Sequence, residues 1–390
     1  MSKWEKVKLG DIGEFKSGGT PTRNKPEYFE GEIPWITTTS LGKTFIEGAD
    51  ATVFISQEAV LNSATKIISK NSIMIGTRVG VGKVSINTVP MCTSQDIISI
   101  ENIDNGQFYK PYILHCIKSY SQYFDTQKRG ATIQGINSGV LKSIDIPQPP
   151  LEIQKQIAKT LDTAAELLAI RKQQLAELDN LIKATFYDMF GDLTTNEKKW
   201  NSTSIVDVCT EIVDCVNKTA PIIDEISPYK MLRTTNIKKG YVDTRNVNYV
   251  DEQTFQKWTR RSVPKRGDVL LTREAPIGET GIIESDDFLF LGQRIVSYRA
   301  NNSIIDSLFL MYHMQSEYFQ DQIRRLARGS TVKHLSVPEC NLFVVYVPPI
   351  ELQTQFANIV TKIEEQKALV KKAIDETQYL FNSLMSEYFE

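Results

Sequence analysis

The stretch Gly80-Val81-Gly82-Lys83 has the residue types of a phosphate-binding loop, in which backbone N–H groups and a lysine hold a nucleotide. Its spacing does not fit that role. Thr77 occupies the position of the first glycine of such a loop, and Val84 replaces the hydroxyl residue that would bind magnesium. The sequence therefore does not predict a nucleotide-hydrolysing site at this stretch.

Acid–base, thiol and metal chemistry have few candidates in this chain. Of its 3 histidines, His115 and His313 fall in matching apolar segments, where a buried structural role is the commoner one, and only His334 falls in a predicted loop. The 5 cysteines are scattered without metal-ligand or redox spacing, so we expect them to be reduced and inert. No carboxylate cluster, dinucleotide fingerprint or nucleophile elbow stands out. We therefore expect no catalytic residue, no metal and no cofactor in this chain.

Side chains that could read nucleic acid are more plentiful. Arginine pairs with guanine, asparagine or glutamine pairs with adenine, and hydroxyl or basic groups contact phosphate. In the first half of the chain the candidates are Thr20, Thr37, Thr38, Thr39, Ser40, Arg78, Lys83, Gln95, Arg129, Thr132 and Gln134. In the second half they are Arg233, Thr234, Asn236, Arg273, Gln293, Arg294, Arg328, Ser330, Thr331 and Lys333. For any one of them a solvated surface role is an equal alternative.

One short motif occurs in both halves. Residues 128–132 read Lys-Arg-Gly-Ala-Thr and residues 327–331 read Ala-Arg-Gly-Ser-Thr, so both keep the order Arg-Gly-small-Thr. A glycine beside a basic and a hydroxyl residue favours close backbone approach to phosphate, although a helix-ending turn would also use it. The basic run Arg260, Arg261, Lys265 and Arg266 is interpreted mainly as a solvated face.

These motifs belong to an internal duplication. The sequence of Pro149–Gln154 recurs 199 residues later as Pro348–Gln353, with Leu151 and Ile153 exchanged for Ile350 and Leu352. Nearer the start of each copy the offset shortens to 196, since Thr38 corresponds to Thr234. We align Thr77-Arg78 of the first copy with Thr272-Arg273 of the second. Two similar units in tandem follow from the repeat.

Each globular part is predicted to be α+β. Ser72–Gly76 and Asp268–Thr272 are short, rich in β-forming residues and bounded by turn residues, which predicts strands. Tyr112–Phe124 and Leu308–Ile323 have helical periodicity.

A long amphipathic helix follows each globular part, directly after a Pro-Pro pair. Apolar residues recur at steps of three and four, interrupted by Arg171 in the first helix and by Lys367 and Thr377 in the second. The stripe comprises Ile157, Leu161, Ala164, Leu168, Leu175, Leu178 and Ile182, and then Phe356, Val360, Ile363, Val370, Ile374, Phe381 and Leu384. Because each helix leads away from its own domain, the pair should be antiparallel.

The resulting prediction is a pseudo-twofold dumbbell with four segments. Residues 1–150 and 191–349 form two similar mixed α/β domains, and residues 151–190 and 350–390 form two spacer helices. About 40 residues of helix make a rod of roughly 60 Å.

Composition places the chain among globular proteins. It has 390 residues, 41% of them hydrophobic and 24% charged, and its N-terminus and apolar runs predict neither a secretion signal nor a membrane span. We therefore expect a cytoplasmic location. Residues 1–150 carry 16 basic against 14 acidic side chains, and residues 191–349 carry 20 against 20. A nucleic-acid reader with this balance would need partners to supply phosphate affinity.

The assembled motifs resemble the specificity subunit of type I restriction-modification systems over essentially the whole chain. The resemblance is carried by Ser17–Thr22, Ile33–Thr37, Gly76–Gly80 and the two Pro-Pro-helix junctions. It implies that each domain reads half of a split, asymmetric double-stranded DNA site and that the helices set the gap. It further implies two methyltransferase subunits that supply S-adenosylmethionine binding and adenine methylation, and motor-nuclease subunits for cleavage. These partners would dock on the outward helix faces, where Lys155, Lys159, Glu166 and Lys172 fall.

The second copy departs from the first. Residues 216–221 read Val-Asn-Lys-Thr-Ala-Pro in the region where the first copy has Ser-Gly-Gly-Thr-Pro, as two domains that read different sequences would allow. Two other hypotheses remain open at this point. One is a tandem protein- or glycan-binding adaptor with a coiled-coil spacer, and the other is a self-sufficient methyltransferase or nuclease.

Overall fold

The computed structural model describes residues 4–130, 134–216, 218–327 and 333–389. The contacts divide the chain into two compact units. Unit 1 combines Met1–Gln173 with Lys371–Glu390, and unit 2 is Gln174–Val370. Each unit thus contains a part of both long helices. The four consecutive segments predicted from the sequence divide the chain differently. They separate each long helix from the globular parts against which its ends pack.

Unit 1 is built on short strands that form three sheets in its described residues. Its strands β1 to β11 are Lys6–Lys8, Glu14–Ser17, Ile33–Ile36, Phe45–Ile46, Val53–Ile55, Ile67–Ile68, Ile73–Gly76, Val84–Asn87, Met91–Thr93, Ile97–Glu101 and Asp145–Pro147. The largest sheet has the order β2-β10-β7-β8-β4, and a second has the order β5-β3-β9-β6. Strands β1 and β11 pair with each other and tie the two ends of the globular part together.

The helices that begin in unit 1 are α1 Gln57–Leu61, α2 Lys110–Ser119, α3 Ser121–Gln127, α4 Ser138–Lys142 and the long α5 Leu151–Phe190. Helix α1 packs on the four-stranded sheet, and α2 packs on the five-stranded sheet. Ile113 and Ile117 of α2 are fully buried in the same core as Ile73 and Ile75 of β7. Full burial of such a side chain contributes about 1.5–3 kcal/mol, so this layer holds the sheet against the helices.

Unit 2 repeats the arrangement. Its strands β12 to β22 are Ser202–Ser204, Cys209–Asp214, Tyr229–Leu232, Ile237–Lys238, Gly240–Val242, Asn248–Tyr249, Val269–Arg273, Ile277–Ile282, Phe288–Leu291, Ile295–Ala300 and Val344–Tyr346. Its helices are α6 Ile205–Val208, α7 Glu252–Trp258, α8 Ser307–Gln315, α9 Glu317–Leu326, α10 Val337–Cys340 and α11 Ile350–Phe389. The main sheet has the order β13-β21-β18-β19-β16-β15. This matches unit 1, in which β2, β10, β7 and β8 occupy the first four places.

The long helices pack antiparallel within each unit. In unit 1, Ile157 and Leu161 near the start of α5 share a core with Phe389 at the end of α11. In unit 2, Phe186 near the end of α5 contacts Phe356 near the start of α11, with ring centroids 5.4 Å apart. The predicted mixed α/β class with two long antiparallel helices is confirmed.

A buried glutamine fixes each junction between a globular part and its helix. Gln154 Nε2 donates to Pro149 O at 2.8 Å, and Gln154 Oε1 accepts from Tyr109 N at 2.8 Å. Gln353 repeats both contacts with Pro348 O at 2.7 Å and Asp306 N at 2.8 Å. Both glutamines are fully buried, which explains why this position is shared by the two copies.

The interruptions in the apolar stripes have polar partners on the facing helix, and Lys367 has a further one on its own helix. In unit 1, Arg171 donates to Thr377 Oγ1 and to the Ala373 carbonyl. In unit 2, Lys367 Nζ lies 2.6 Å from Asp179 Oδ1 and 2.5 Å from Glu364 Oε1.

One alignment made from the sequence was wrong. Gly76 pairs with Ile97 across β7 and β10, and Thr272 pairs with Ile295 across β18 and β21. Thr272 therefore corresponds to Gly76, and the copies align at an offset of 196 through this turn. The residue equivalent to Thr77 is Arg273. The predicted strands are otherwise found within a residue of their expected places. The helical segments predicted at Tyr112–Phe124 and Leu308–Ile323 are present, but each is divided into two helices.

Candidate nucleic-acid interfaces

Four segments of unit 1 meet at one end of its main sheet. The turn after β7 is bonded to the turn before β10, because Thr77 N donates to Asp96 O at 2.8 Å. Thr77 O in turn accepts from Ile136 N at 2.8 Å, which brings the segment after α3 to the same place. The fourth segment is the loop after β2, where Thr20 Oγ1 donates to Gln95 Oε1. The sheet end is therefore surrounded by polar turns.

The Gly80–Lys83 stretch is a hairpin turn, since it joins the antiparallel strands β7 and β8. Gly80 and Gly82 adopt φ values of +72° and +82°, where a side chain is strained. A Cβ on Gly76 would lie 2.7 Å from Gly80 O, so the turn closes tightly over that glycine. This tight turn leaves Arg78, Val79 and Lys83 exposed.

A cleft of about 430 Å³ lies beside this turn. Its lining residues are Arg78, Gln127, Arg129, Gly135, Ile136, Asn137 and Val140. Arg129 and Gly135 exchange two backbone hydrogen bonds of 2.9 Å, which fixes the base of the loop that carries the Arg-Gly-small-Thr motif. The motif's Thr132 lies outside the described residues. Two exposed arginines on one concave surface suit an anionic ligand.

The predicted contact residues of unit 1 differ in exposure. Thr39, Arg78, Lys83, Gln95, Arg129 and Gln134 are exposed, and Thr20, Thr37 and Ser40 are half-buried. Thr38 is only 4% exposed, so we assign it a structural role in place of the predicted contact. Its neighbours Thr37 and Thr39 share a hydrogen bond of 2.7 Å, which orders the turn after β3.

Unit 2 brings equivalent segments together. Arg273 N donates to Arg294 O at 2.8 Å, and Arg273 O accepts from Leu335 N at 3.0 Å. These are the counterparts of the contacts that Thr77 makes in unit 1. Thr234 Oγ1 donates to Ala275 O at 3.0 Å and joins the turn after β14 to the same cluster. The two units thus have turns at equivalent places in the fold, and these turns carry different side chains.

Two predicted contact residues of unit 2 are engaged in hydrogen bonds within the fold. Asn236 is 3% exposed; its Oδ1 accepts from Arg233 N at 2.8 Å, and its Nδ2 donates to Asn246 O at 2.8 Å. Arg273 is half-buried and donates through Nη1 to Leu335 O at 3.0 Å. Both side chains close turns, because polar groups inside the fold must find partners.

The other predicted residues of unit 2 are accessible where they are described. Arg233, Arg294 and Lys333 are exposed, and Thr234 and Gln293 are half-buried. Arg328, Ser330 and Thr331 lie outside the described residues. In the basic run, Arg261 pairs with Asp214 and Arg266 pairs with Asp286, as a solvated face would.

Sequence reasoning missed a cavity in unit 1. It has a volume of about 650 Å³ and is lined by Thr20, Arg23, Phe29, Gly31, Trp35, Thr52, Val53 and Phe54. Its aromatic wall comes from the Ile33–Thr37 motif and from the edge strand β5. Of the lining residues only Thr20 was predicted as a site residue. An exposed aromatic on an edge strand, Phe54, was the available signal.

His115, His313 and the Cys92 thiol are buried. His313 Nε2 accepts from Tyr346 N at 3.1 Å, and burial lowers the pKa of its imidazole to about 3. Its counterpart His115 is 2% exposed and lies 2.8 Å from Asp162 Oδ1. Burial also raises the pKa of the Cys92 thiol to about 11. Both histidines are buried, as the sequence predicts.

Neither a metal-ligand cluster nor a membrane-spanning helix is present in the described ranges. Over residues 4–130, 134–216, 218–327 and 333–389 there is no cluster of three or more metal-ligating side chains. Within the same ranges, neither α5 nor α11 nor any shorter helix is long and apolar enough to cross a membrane.

The helix pair of unit 1 carries a groove of about 570 Å³. Its lining residues are Lys159, Thr160, Thr163, Ala164, Leu167, Arg171, Glu376, Thr377, Leu380 and Leu384. Leu167 and Leu380 remain 41% and 53% exposed there. Apolar side chains on an outward helix face are typical of a protein-docking surface.

The chain belongs to the family of the type I restriction modification DNA specificity domain, whose model matches residues 1–180 and 197–378. It is 23% identical to the type I restriction enzyme MjaVIII specificity subunit of Methanocaldococcus jannaschii, over 98% of this chain and 91% of that one. It is 36% identical to the EcoR124I/EcoR124II specificity subunit of Escherichia coli, over 40% of this chain and 39% of that one.

Solved structures show the same fold. The S subunit of a type I restriction-modification system from M. genitalium matches with a TM-score of 0.59 and 15% identity, over 100% of this chain and 96% of that chain. A chain from a study of the assembly and conformational transition of the type I system matches with a TM-score of 0.60 and 16% identity, over 99% and 97%. The family resemblance drawn from the sequence motifs is confirmed.

Proposed function

We propose that this chain is the non-catalytic DNA-specificity subunit of a type I restriction-modification complex. Each unit reads one half of a bipartite, asymmetric double-stranded DNA site, and α5 and α11 set the unspecified gap. One observation carries the proposal. The contacts Ile136 to Thr77 and Leu335 to Arg273 place equivalent polar turns at the same sheet end of both units, with different side chains on them. Shared scaffolds with different reading groups suit two half-sites of different sequence.

Partner subunits supply the chemistry in this proposal. Two methyltransferase subunits dock on the outer helix faces, bring S-adenosylmethionine and methylate adenine at N6, and restriction subunits add translocation and cleavage. The half-exposed Leu167 and Leu380 in the groove of unit 1 support docking there. Lys155, Lys159, Glu166 and Lys172 are exposed on α5 and provide a polar rim.

The charge balance supports the dependence on partners. A net charge of −2 gives no general attraction to DNA, whose backbone carries about one negative charge per 1.7 Å of axis. The exposed Arg78, Arg129, Arg233 and Arg294 can select bases or phosphates locally. Most of the salt-dependent affinity must then come from the methyltransferase subunits.

The test is to express the chain with its methyltransferase partner in a host that lacks adenine methylation and to sequence the modified adenines. We expect one split motif with a fixed gap. A second strain carries seven extra residues that preserve the apolar stripe, inserted after Leu175 in α5 and after Val370 in α11. Seven residues of helix add about 10 Å, so the gap should lengthen by about three base pairs while both half-sites stay the same.

A control strain carries the seven residues in an exposed loop, between Asn302 and Ser303, where the gap should not change. A changed half-site with an unchanged gap in the helix-insertion strain would contradict the spacer role. Transfer of labelled methyl groups by the purified chain alone would contradict the non-catalytic role.

A further inference from the structure

An ion pair occupies the same place in both units with its charges exchanged. In unit 1, Arg78 Nη1 lies 3.4 Å from Asp96 Oδ1. In unit 2, Arg294 Nε lies 3.2 Å from Glu274 Oε2. The corrected alignment makes Arg78 equivalent to Glu274 and Asp96 equivalent to Arg294. The turn after β7 therefore carries the cation in unit 1, and the equivalent turn after β18 carries the anion in unit 2.

The two pairs are equally accessible. The side chains of Arg78 and Asp96 are 52% and 27% exposed, and those of Arg294 and Glu274 are 50% and 27% exposed. In each pair the arginine is the more exposed partner, although it comes from a different turn in each unit. The two pairs therefore agree in accessibility as well as in their place in the sheet.

An ion pair this exposed is weak enough to open. Solvent screens the attraction between exposed charges, and such pairs contribute about 0–1 kcal/mol or nothing measurable. A DNA duplex can therefore exchange the internal contact for contacts of its own. Until it does so, each carboxylate holds its arginine at the sheet end and limits the side-chain freedom lost on binding.

The two side chains of each ion pair are complementary to the two bases of a G·C pair. Arginine donates to guanine O6 and N7 in the major groove, and an aspartate or glutamate accepts from cytosine N4. A G·C pair presents these groups side by side, so one arginine and one carboxylate on neighbouring turns can contact both bases at once.

We propose that the Arg78–Asp96 and Arg294–Glu274 pairs each read one G·C base pair, and that the exchange of charges makes the two units read it in opposite orientations relative to their own sheets. This inference rests on the proposed function, because it assigns particular bases to the reading surface. It makes Asp96 and Glu274 specificity determinants, which the sequence had not indicated.

The experiment uses the full chain with its methyltransferase partner and measures adenine modification genome-wide. The central variant combines Arg78→Glu with Asp96→Arg and so gives unit 1 the arrangement of unit 2. We expect one G·C position in one half-site to become C·G, with the second half-site and the gap unchanged. The neutral variant Arg78→Gln should relax that position, reducing discrimination there by roughly 5-fold to 150-fold.

Lys8→Gln is the matched control, since Lys8 forms another exposed ion pair of unit 1, with Asp145, and neutralising it should leave the motif unchanged. An unchanged motif in both Arg78 variants would overturn the inference. Uniform loss of modification at all sites in folded Arg78→Gln protein, checked by circular dichroism, would also overturn it, because the pair would then contribute affinity without selectivity. Random modification by the parent complex would instead refute the proposed function itself.

Discussion

Lys367 and Asp179 form a cross-helix ion pair of 2.6 Å within unit 2, with Lys367 9% exposed. Burial alone would lower the pKa of the lysine ammonium, but hydrogen bonds to Asp179 and Glu364 raise that pKa above its ordinary value. Lys367 is therefore charged at neutral pH inside an otherwise apolar stripe. A buried charge with one matching partner restricts which helices can pair.

The first prediction follows from that restriction. If α5 paired with α5 of a second copy in the same register, Asp179 would face Leu168 and Arg171 would face Leu178, because these leucines are the repeat equivalents of Lys367 and Thr377. Both charges would then lack the partners that they have across the parent helix pair. Replacing Arg171 and Asp179 by leucine should therefore permit association between copies, seen by light scattering as a rising dimer fraction. The control Lys372→Leu adds an apolar residue at a site that is 76% exposed, and should stay like the parent.

The second prediction concerns Phe389, which is 4% exposed and lies 5.3 Å from the ring of Tyr112 in unit 1. Phe389→Ala should lower the free energy of unfolding of unit 1 by about 3–5 kcal/mol through the cavity it leaves. Urea unfolding followed by the fluorescence of Trp35, which is buried in unit 1, would measure this loss. Tyr379→Ala on the same helix removes a side chain that is 78% exposed and should change little. Equal effects of the two substitutions would contradict the packing described.

The third prediction uses the low pKa of His313, about 3 in the folded protein against 6.5 ordinarily. The unfolded chain binds a proton at this residue as the pH falls below 6.5, while the folded chain does not. Folding stability should therefore fall as the pH decreases from about 6.5 to about 3, by up to roughly 1.4 kcal/mol per pH unit from this group. His313→Gln should make the decline less steep. The exposed His334→Gln variant is the control, and an identical slope in all three proteins would rule the effect out.

The fourth prediction separates phosphate contact from base reading at Arg129, which is exposed in the cleft of unit 1. Arg129→Gln should weaken binding of the assembled methyltransferase complex by a similar factor on all duplexes. It should also reduce the slope of log affinity against log salt by about 0.9. Lys128→Gln tests the neighbouring cation, which is already paired with Asp125 at 2.5 Å and should matter less. A change confined to one base position would show that Arg129 reads sequence.

The long helices could be predicted in detail because their signals are periodic and local. A Pro-Pro pair prevents helix before Leu151 and Ile350, and the three-four spacing of apolar residues identifies the buried stripe. The sequence also identified the interruptions at Arg171 and Lys367, but it did not identify the residues that bind them. Partner choice depends on which residues face each other across two helices, and this requires the register of the pair.

The reading surfaces could be predicted only by residue type. Asn236 was predicted to recognise adenine because of its amide group. In the structure that amide accepts from Arg233 N and donates to Asn246 O, and both hydrogen bonds close a turn. The exchanged ion pair stayed hidden because Thr272 was aligned with Thr77. Keeping the offset of 196 found at Thr38 and Thr234 would have placed Glu274 opposite Arg78. Because polar turns have no periodic pattern in sequence, the turns of the two copies can be aligned only through the hydrogen bonds that they make in the fold.

The core of unit 1 includes Phe389, which lies far along the chain from the rest of that core. A ribosome makes the part of unit 1 up to Gln173 before unit 2, and only afterwards the final part of α11, which covers Ile157 and Leu161. The first unit to be synthesised is therefore the last to be completed, and it must wait with an apolar face uncovered while some 200 further residues are added. A premature stop within α11 would damage the unit at the opposite end of the gene.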